Sequence, residues 1–148
     1  MLKNKRNYIA HIMVLAALIL MPSLGKQAFA LSGGGGEETI PIPSKDFSVV
    51  VEDAKNVQTV ARKVTWNGKI FIEARRGSSE VTIPFEKTQS IHLTPGKPDR
   101  DNFIPATIKL KNGETVEVKI DSRSKCYGET DFGTFKIYAR DLVSVTFQ

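Results

Sequence analysis

Two side chains in the part of this chain after residue 30 have the right type for nucleophilic chemistry. Cys126 is the only cysteine of the chain, and His92 is the only histidine after residue 30. A cysteine nucleophile needs a base within hydrogen-bond reach, and a Cys126–His92 pair is geometrically possible, although no motif requires it. His92 alternates with Ile91 and Leu93, so we expect it on the solvent side of a strand. Cys126 begins a predicted strand, which favours a buried, inert thiol over an intermolecular bridge or a reactive group.

Closely spaced carboxylates are the candidates for metal binding. Glu129 and Asp131 are two residues apart and flank a predicted turn. Asp99, Asp101 and Asn102 lack the glycine and glutamate that complete a calcium loop. The sequence contains no Cys-x-x-Cys-His haem site, no Cys/His zinc spacing and no glycine-rich phosphate loop between a strand and a helix. We therefore predict no catalytic residue, no metal site and no cofactor.

Residues 1–30 have the three parts of a secretory signal peptide. Three cations within the first six residues form a basic region, residues 8–20 are almost entirely apolar, and Ala28-Phe29-Ala30 is a small-x-small cleavage pattern. About thirteen apolar residues are too few for a span of ~20 residues, so an uncleaved membrane anchor is the less favoured alternative. We predict cleavage after Ala30, export to the periplasm or the extracellular space, and no stable membrane span afterwards.

Cleavage would remove most of the chain's positive charge. The whole chain has 21 Lys and Arg against 16 Asp and Glu, a net charge of +5. Four of the basic residues lie in residues 1–30, which leaves 17 against 16 and a net charge of +1. Without a positive field, counterion release gives no general driving force for nucleic-acid binding, and we predict no nucleic-acid partner. Arg75-Arg76 is the only local basic doublet of the remaining chain, and we interpret it as a solvated hairpin tip.

Residues 31–46 are predicted to form a flexible arm. Four consecutive glycines, residues 33–36, and the two glutamates after them offer no apolar surface to offset the entropy of ordering. The two prolines of Thr39-Ile40-Pro41-Ile42-Pro43 favour extended backbone and exclude a central strand. This segment should lie along a sheet edge or remain free.

The chain after residue 46 alternates apolar and polar residues with a period of two, which is typical of half-buried strands. Asn67-Gly68 and Asn112-Gly113 lie between such runs and predict two hairpins. Gly77-Ser78 and Phe132-Gly133 predict further turns, and residues 52–61 could form one short helix. We predict an all-β fold, a small barrel or sandwich. The expected core residues are Val81, Ile83, Phe85, Ile108, Leu110, Val116, Val118, Ile137, Val145 and Phe147.

An internal repeat gives the predicted domain organisation. Residues 79–93 and 133–147 match apolar to apolar at an offset of 54, and each reads as strand, tight turn, strand. We predict two similar units of about 45 residues, 47–94 and 103–148, joined by a polar linker, 95–102. A coincidental match between two alternating strands is the alternative.

The second unit resembles the small five-stranded barrels of the Sm-like kind. It runs strand, Asn112-Gly113 turn, strand, turn segment 128–133, strand, one 3₁₀ turn at 139–142 and closing strand. The resemblance is one of topology, and it implies a barrel that binds RNA, peptide or another copy rather than a catalyst. The basic loop residues available for RNA are Lys111, Arg123 and Lys125. No repeated aromatic platform accompanies them, and the resemblance assigns no functional residue.

These observations favour an exported, non-catalytic binding module that holds a protein or an envelope polymer through sheet edges or loops. The alternative is a structural or assembly subunit whose arm adds a strand to a neighbour and so forms a homo-oligomer. A small enzyme that acts through Cys126 is the least favoured hypothesis.

Overall fold

The computed structural model describes residues 39–148. The predicted signal peptide and residues 31–38 of the arm lie outside this part of the chain. The described part is all-β, as predicted, with ten strands and two single 3₁₀ turns. The strands are β1 (Val49–Asp53), β2 (Gln58–Trp66), β3 (Phe71–Arg76), β4 (Ser79–Pro84), β5 (Thr88–Leu93), β6 (Phe103–Leu110), β7 (Thr115–Asp121), β8 (Lys125–Thr130), β9 (Gly133–Tyr138) and β10 (Leu142–Phe147). The 3₁₀ turns are Phe85–Lys87 and Ala139–Asp141.

All ten strands belong to one curled antiparallel sheet, in the order β4-β3-β7-β6-β5-β10-β1-β2-β8-β9. Five strands that follow one another in the chain, β3 to β7, form what we call the first half of the sheet. The second half contains β1, β2, β8, β9 and β10, and is therefore built from both ends of the described chain. The two halves meet where β5 pairs with β10.

These halves group the strands differently from the predicted units 47–94 and 103–148. The predicted linker, residues 95–102, joins β5 to β6, which are neighbours within the first half. The segment that resembles Sm-like barrels has the expected order of strands and a 3₁₀ turn at Ala139–Asp141. Its strand β7 pairs with β3 of the preceding segment, however, so residues 103–148 do not close into a barrel by themselves.

The two halves have the same internal pairing. Strands β8, β9 and β10 begin 54 residues after β3, β4 and β5, and the two 3₁₀ turns are also 54 residues apart. Strands β6 and β7 correspond to β1 and β2 at an offset of 57. The pair Val51↔Val145 in the second half therefore has the same place as the pair Ile108↔Ile91 in the first half. The pairs Ser144↔His92 and Thr146↔Ser90 flank Val145↔Ile91 symmetrically. The pairing is thus approximately two-fold symmetric about the Ile91–Val145 pair.

Three of the four predicted turns connect paired strands. Gly77-Ser78 joins β3 to β4, Asn112-Gly113 lies between β6 and β7, and the turn before Gly133 joins β8 to β9. The positive φ of Gly77, 60°, at the first central position is the conformation that a tight hairpin turn reserves for glycine.

The hairpin predicted at Asn67-Gly68 is wrong. Trp66 and Lys69 exchange two backbone hydrogen bonds of 2.8 and 2.9 Å across this turn. After this single bridge the strands separate, because β2 pairs with β8 in the second half and β3 pairs with β7 in the first. The turn therefore carries the chain from one half to the other.

The helix considered for residues 52–61 is also wrong. This stretch forms the end of β1, a turn and the start of β2, which pair with each other. The Asp53 carboxylate accepts the backbone N–H groups of Lys55 and Val57 at 2.8 and 2.9 Å, and Asn56 adopts a φ of 62°. Such local side-chain bonds stabilise a turn in competition with helix, and the partner strands then fix the pairing.

The core runs through both halves. Every predicted core residue is either buried or partly buried against the core, which confirms the period-two assignment. Phe85 of the first half is buried and contacts Phe147 of the second half with ring centroids 4.9 Å apart. Phe47 packs on both rings at 5.4 and 6.2 Å. This aromatic cluster joins the halves in one apolar core.

Candidate functional site

The structure does not bring the two candidate nucleophilic residues together. Cys126 is completely buried in β8, as predicted, and burial raises the pKa of its thiol to about 12. His92 is exposed on β5, also as predicted. Strands β5 and β8 are four positions apart in the sheet order, and neighbouring strands are spaced by about 4.8 Å. The raised pKa favours the neutral form of the thiol, which is typical of a buried structural cysteine.

The candidate metal ligands are engaged by cations of the chain. Glu129 accepts a 2.9 Å bond from Lys63, and Asp131 accepts a 2.7 Å bond from Arg62. In the predicted linker, Asp99 accepts a 2.9 Å bond from Lys119, which is the main reason why the pKa of this carboxyl is lowered. Within residues 39–148 no group of three or more His, Cys, Asp or Glu side chains is arranged to hold a metal ion.

An open groove of about 620 Å³ lies on the first half. The end of β3, the centres of β6 and β7, and the connection between β5 and β6 form its walls. We call it the arginine groove. It is lined by Arg75, Arg76, Gly77, Thr94, Asp99, Asp101, Phe103, Pro105, Ala106, Thr107, Glu117, Val118 and Lys119. Three cationic and three anionic side chains line it, so the groove is polar but has no formal net charge.

Arg75 has the most unusual surroundings in this groove. Its guanidinium carbon lies 4.3 Å from the centre of the Phe103 ring, which is a cation–π arrangement. Its cross-strand neighbour on β7 is Lys119, a residue of the same charge. Like charges opposite each other on paired strands are destabilising. Lys119 relieves part of this repulsion through its bond to Asp99.

Within residues 39–148, no carboxylate forms an ion pair with Arg75. Glu80 is its cross-strand neighbour on β4, but no ion pair of 4.0 Å or less joins these residues in the described structure. Asp121 lies close enough for the Arg75 charge to contribute to the lowering of its pKa, but Arg123 binds that carboxylate at 2.8 and 3.0 Å. Arg76 likewise has no ion pair within residues 39–148.

A second cavity, of about 350 Å³, adjoins the groove and shares Arg75 and Phe103 with it. The arginine and the ring therefore form a wall between two depressions. A bound polymer that occupied both cavities would contact Arg75 and Phe103 between them. Arg75 is consequently in the centre of the concave surface rather than at its margin.

The corresponding surface of the second half carries ion pairs. The cross-strand pair Arg75↔Lys119 corresponds to Glu129↔Arg62, a pair of opposite charges. Lys63 binds Glu129, and Asp131 binds Arg62. The residue that corresponds to Asp131 in the first half is Gly77, and nothing lies within 4 Å of the position that its Cβ would occupy. The first half thus lacks the carboxylates that fill this surface in the second.

The sequence identified part of this site. The Arg75-Arg76 doublet precedes a hairpin turn and is exposed, as predicted, and it also lines the arginine groove. Phe103 and Lys119 follow Arg75 by 28 and 44 residues, and no local pattern connects the three. The available signal was the match at an offset of 54, which aligns Arg75 with Glu129.

The last eight residues of the predicted arm lie in the described part. Pro41 packs near Gly68, where an added Cβ would be 3.4 Å from the proline ring. Ile40 lies beside Phe135 and Thr134 of β9, and Ile42 is 90% exposed. No helix in residues 39–148 is long and apolar enough to cross a membrane.

Comparison with known proteins gives a family without a stated activity. No curated protein matches the chain. One family model matches residues 43–148, which is the described domain without its first four residues. The chain therefore belongs to this family, whose description is "Uncharacterised protein".

Proposed function

We propose that this protein is an exported, non-catalytic, β-rich binding module of the cell envelope or the extracellular space, and that the arginine groove holds its partner. The observation that carries the proposal is the difference between the halves at one equivalent site. At this site the second half forms the pairs Arg62–Asp131 and Lys63–Glu129, whereas Arg75 and Arg76 have no ion pair within residues 39–148 and line a cavity of about 620 Å³. The cross-strand pair Arg75↔Lys119 is unfavourable for stability, and a partner that supplies a carboxylate would offset this repulsion.

The proposal includes a common origin for the two halves. The six-residue lengths of β3, β4 and β5 recur in β8, β9 and β10, and the 3₁₀ turns recur at the same offset of 54. A register shift occurs in the β1–β10 pairing and again at the equivalent place in the β5–β6 pairing. Constant offsets support two copies of one unit of about 45 residues. Each half of the sheet contains strands of both copies, so the ion pairs of the second half and the groove of the first are each formed between the two copies.

Export rests on the leader sequence, which lies outside the described residues. The complete burial of the only cysteine is compatible with an oxidising compartment, because a buried thiol forms no bridge to another chain. The same burial and the raised pKa of Cys126 give no support to a cysteine-dependent enzyme.

Site-specific photo-crosslinking in living cells tests the binding function. A photoreactive amino acid at Thr107, in the groove, should give a discrete crosslinked product. The matched control is Val50, which occupies the corresponding position of β1 and is also half-buried. The product should form from position 107 and not from position 50, and Arg75→Glu should abolish it. Equal products from both positions, or a product that Arg75→Glu leaves unchanged, would refute the groove as the binding surface.

The alternative, an assembly subunit that uses its arm, has one observation in its favour. Ile42 is 90% exposed in a segment that otherwise packs on the domain, and an exposed isoleucine between prolines would gain from burial against a neighbour. Deletion of the arm separates the two functions, because only the assembly function requires it.

A further inference from the structure

We propose that the arginine groove recognises a carboxylate side chain on an extended polypeptide segment of a protein partner, with Arg75 as the residue that binds the carboxylate. This inference rests on the proposed binding function and names the chemical class of the partner. Its basis is the arrangement of charge in the groove and in the equivalent site of the second half.

The guanidinium of Arg75 is positioned to receive an oxyanion. Contact with the Phe103 ring at 4.3 Å restrains the side chain without using its N–H donors in an ion pair. A restrained planar guanidinium matches a carboxylate with two parallel hydrogen bonds, and restraint lowers the entropy lost on binding. Arg76, next in the chain, adds a second cation to the same cavity, whereas Lys119 is bound to Asp99.

The second half shows that a carboxylate fits this part of the fold. There Asp131 approaches Arg62, the counterpart of Lys119, to 2.7 Å. Gly77 leaves that position without a side chain in the first half, and the space around it is open. The comparison therefore shows an open position beside Lys119 and two residues after Arg75, and the Phe103 contact is what selects Arg75 as the binding residue, because Lys119 already binds Asp99.

The remaining lining distinguishes a polypeptide from a polyanionic polymer. Asp101 and Glu117 also face the groove, and its cations and anions are equal in number. A polymer with a negative charge on every repeat would be repelled by these two carboxylates. A peptide with one carboxylate, flanked by neutral or basic residues, places its negative group at Arg75 and avoids that repulsion. The hydroxyls of Thr94 and Thr107 offer hydrogen bonds to an extended backbone.

The test uses the purified ¹⁵N-labelled protein and two synthetic probes, Ser-Gly-Glu-Gly-Lys-Ser and the same peptide with Gln in place of Glu. Amide shifts should be confined to β3, β6, β7 and the connection before Phe103. The Gln peptide should bind about tenfold more weakly, a difference of about 1.4 kcal/mol, because a neutral amide cannot form the charge-assisted bidentate pair with the guanidinium. Arg75→Gln should weaken binding of the Glu peptide by a similar factor.

The matched control is Arg62→Gln, which removes an exposed arginine from the equivalent surface of the second half and should leave the affinity unchanged. Inorganic polyphosphate serves as the polyanion probe. Equal binding of the Glu and Gln peptides, tighter binding of polyphosphate than of the Glu peptide, or an equal loss in Arg62→Gln would each overturn the inference. The two proposals can fail separately. If the crosslinked product forms from position 107 but the Glu and Gln peptides bind equally, the binding function stands and only the assignment of a carboxylate is refuted.

Discussion

Phe85 offers the most direct test of a core shared by the two halves. Its side chain is buried in the first half and contacts two other rings. Phe147 is in β10 of the second half, and Phe47 lies just before β1. Truncation to alanine removes these contacts and leaves a cavity, and changes of this kind cost about 3–5 kcal/mol. The matched control is Phe132→Ala, because Phe132 is 86% exposed in the β8–β9 turn and surface substitutions usually stay within about 0.5 kcal/mol.

Urea unfolding can follow this prediction with two independent probes. Circular dichroism reports on the whole sheet, whereas fluorescence reports on Trp66, the only tryptophan, which is buried in β2 of the second half. With a slope of about 1–3 kcal/mol per M urea, a loss of about 4 kcal/mol should lower the midpoint by roughly 1–4 M. Both probes should shift together, since removal of Phe85 weakens both halves. Phe85→Leu, with an expected cost of about 1 kcal/mol, provides a milder variant if the alanine protein does not fold.

Two results would refute this reasoning. A Trp66 transition that stays in place while the circular dichroism midpoint falls would show that the halves unfold independently. An effect of Phe85→Ala as small as that of Phe132→Ala would show that the aromatic cluster does not support the core.

Four further predictions test other features of the chain. Mass spectrometry of the exported protein should find Leu31 at the N-terminus, and an intact first residue in membrane fractions would contradict cleavage. Deletion of residues 31–43 should leave the oligomeric state in light scattering and the urea midpoint unchanged if the arm is a spacer, whereas loss of an oligomer would favour assembly. Cys126, with its pKa raised to about 12, should react with a thiol reagent at pH 8 only after unfolding, and labelling of the native protein at the rate of a free thiol would argue against burial. The pKa of Asp99 is lowered chiefly by its bond to Lys119. The contribution of this pair to stability is therefore present above the ordinary carboxyl pKa and is lost as the pH falls from about 5 towards about 2. The thermal midpoint of Asp99→Asn should decrease less over this range than that of the unchanged protein, and an equal decrease would show that the pair contributes nothing.

Local pattern was sufficient to predict the strands and most turns. Alternation of apolar residues identifies one face of each strand, and glycine at a position of positive φ identifies a tight turn. These signals act over a few residues, so they are readable from the sequence. The 3₁₀ turn at Ala139–Asp141 and the solvent side of His92 were predicted in the same way.

Strand partners could not be predicted, because they depend on contacts between distant residues. Asn67-Gly68 makes the tight turn that its sequence indicates, yet the strands on either side belong to different halves. The arginine groove also depends on contacts between residues that are distant in the sequence. Its central contact joins Arg75 to Phe103, and both residues are ordinary members of their own strands until β3 and β6 are placed on either side of β7.

The division of the sheet sets an order in which the chain can complete itself. Strands β3 to β7 form a continuous segment, so the first half has all its strands once residue 121 is available. Strands β1 and β2 come earlier in the chain but wait for β8 and β10, and β10 ends at Phe147, one residue before the terminus. Because β10 lies in the middle of the sheet, loss of β10 would remove the pairing with β5 that joins the two halves, and not an edge strand. The β1–β2 hairpin therefore has no partner on either side until β8 and β10 are added, whereas the first half can pair all its strands without them.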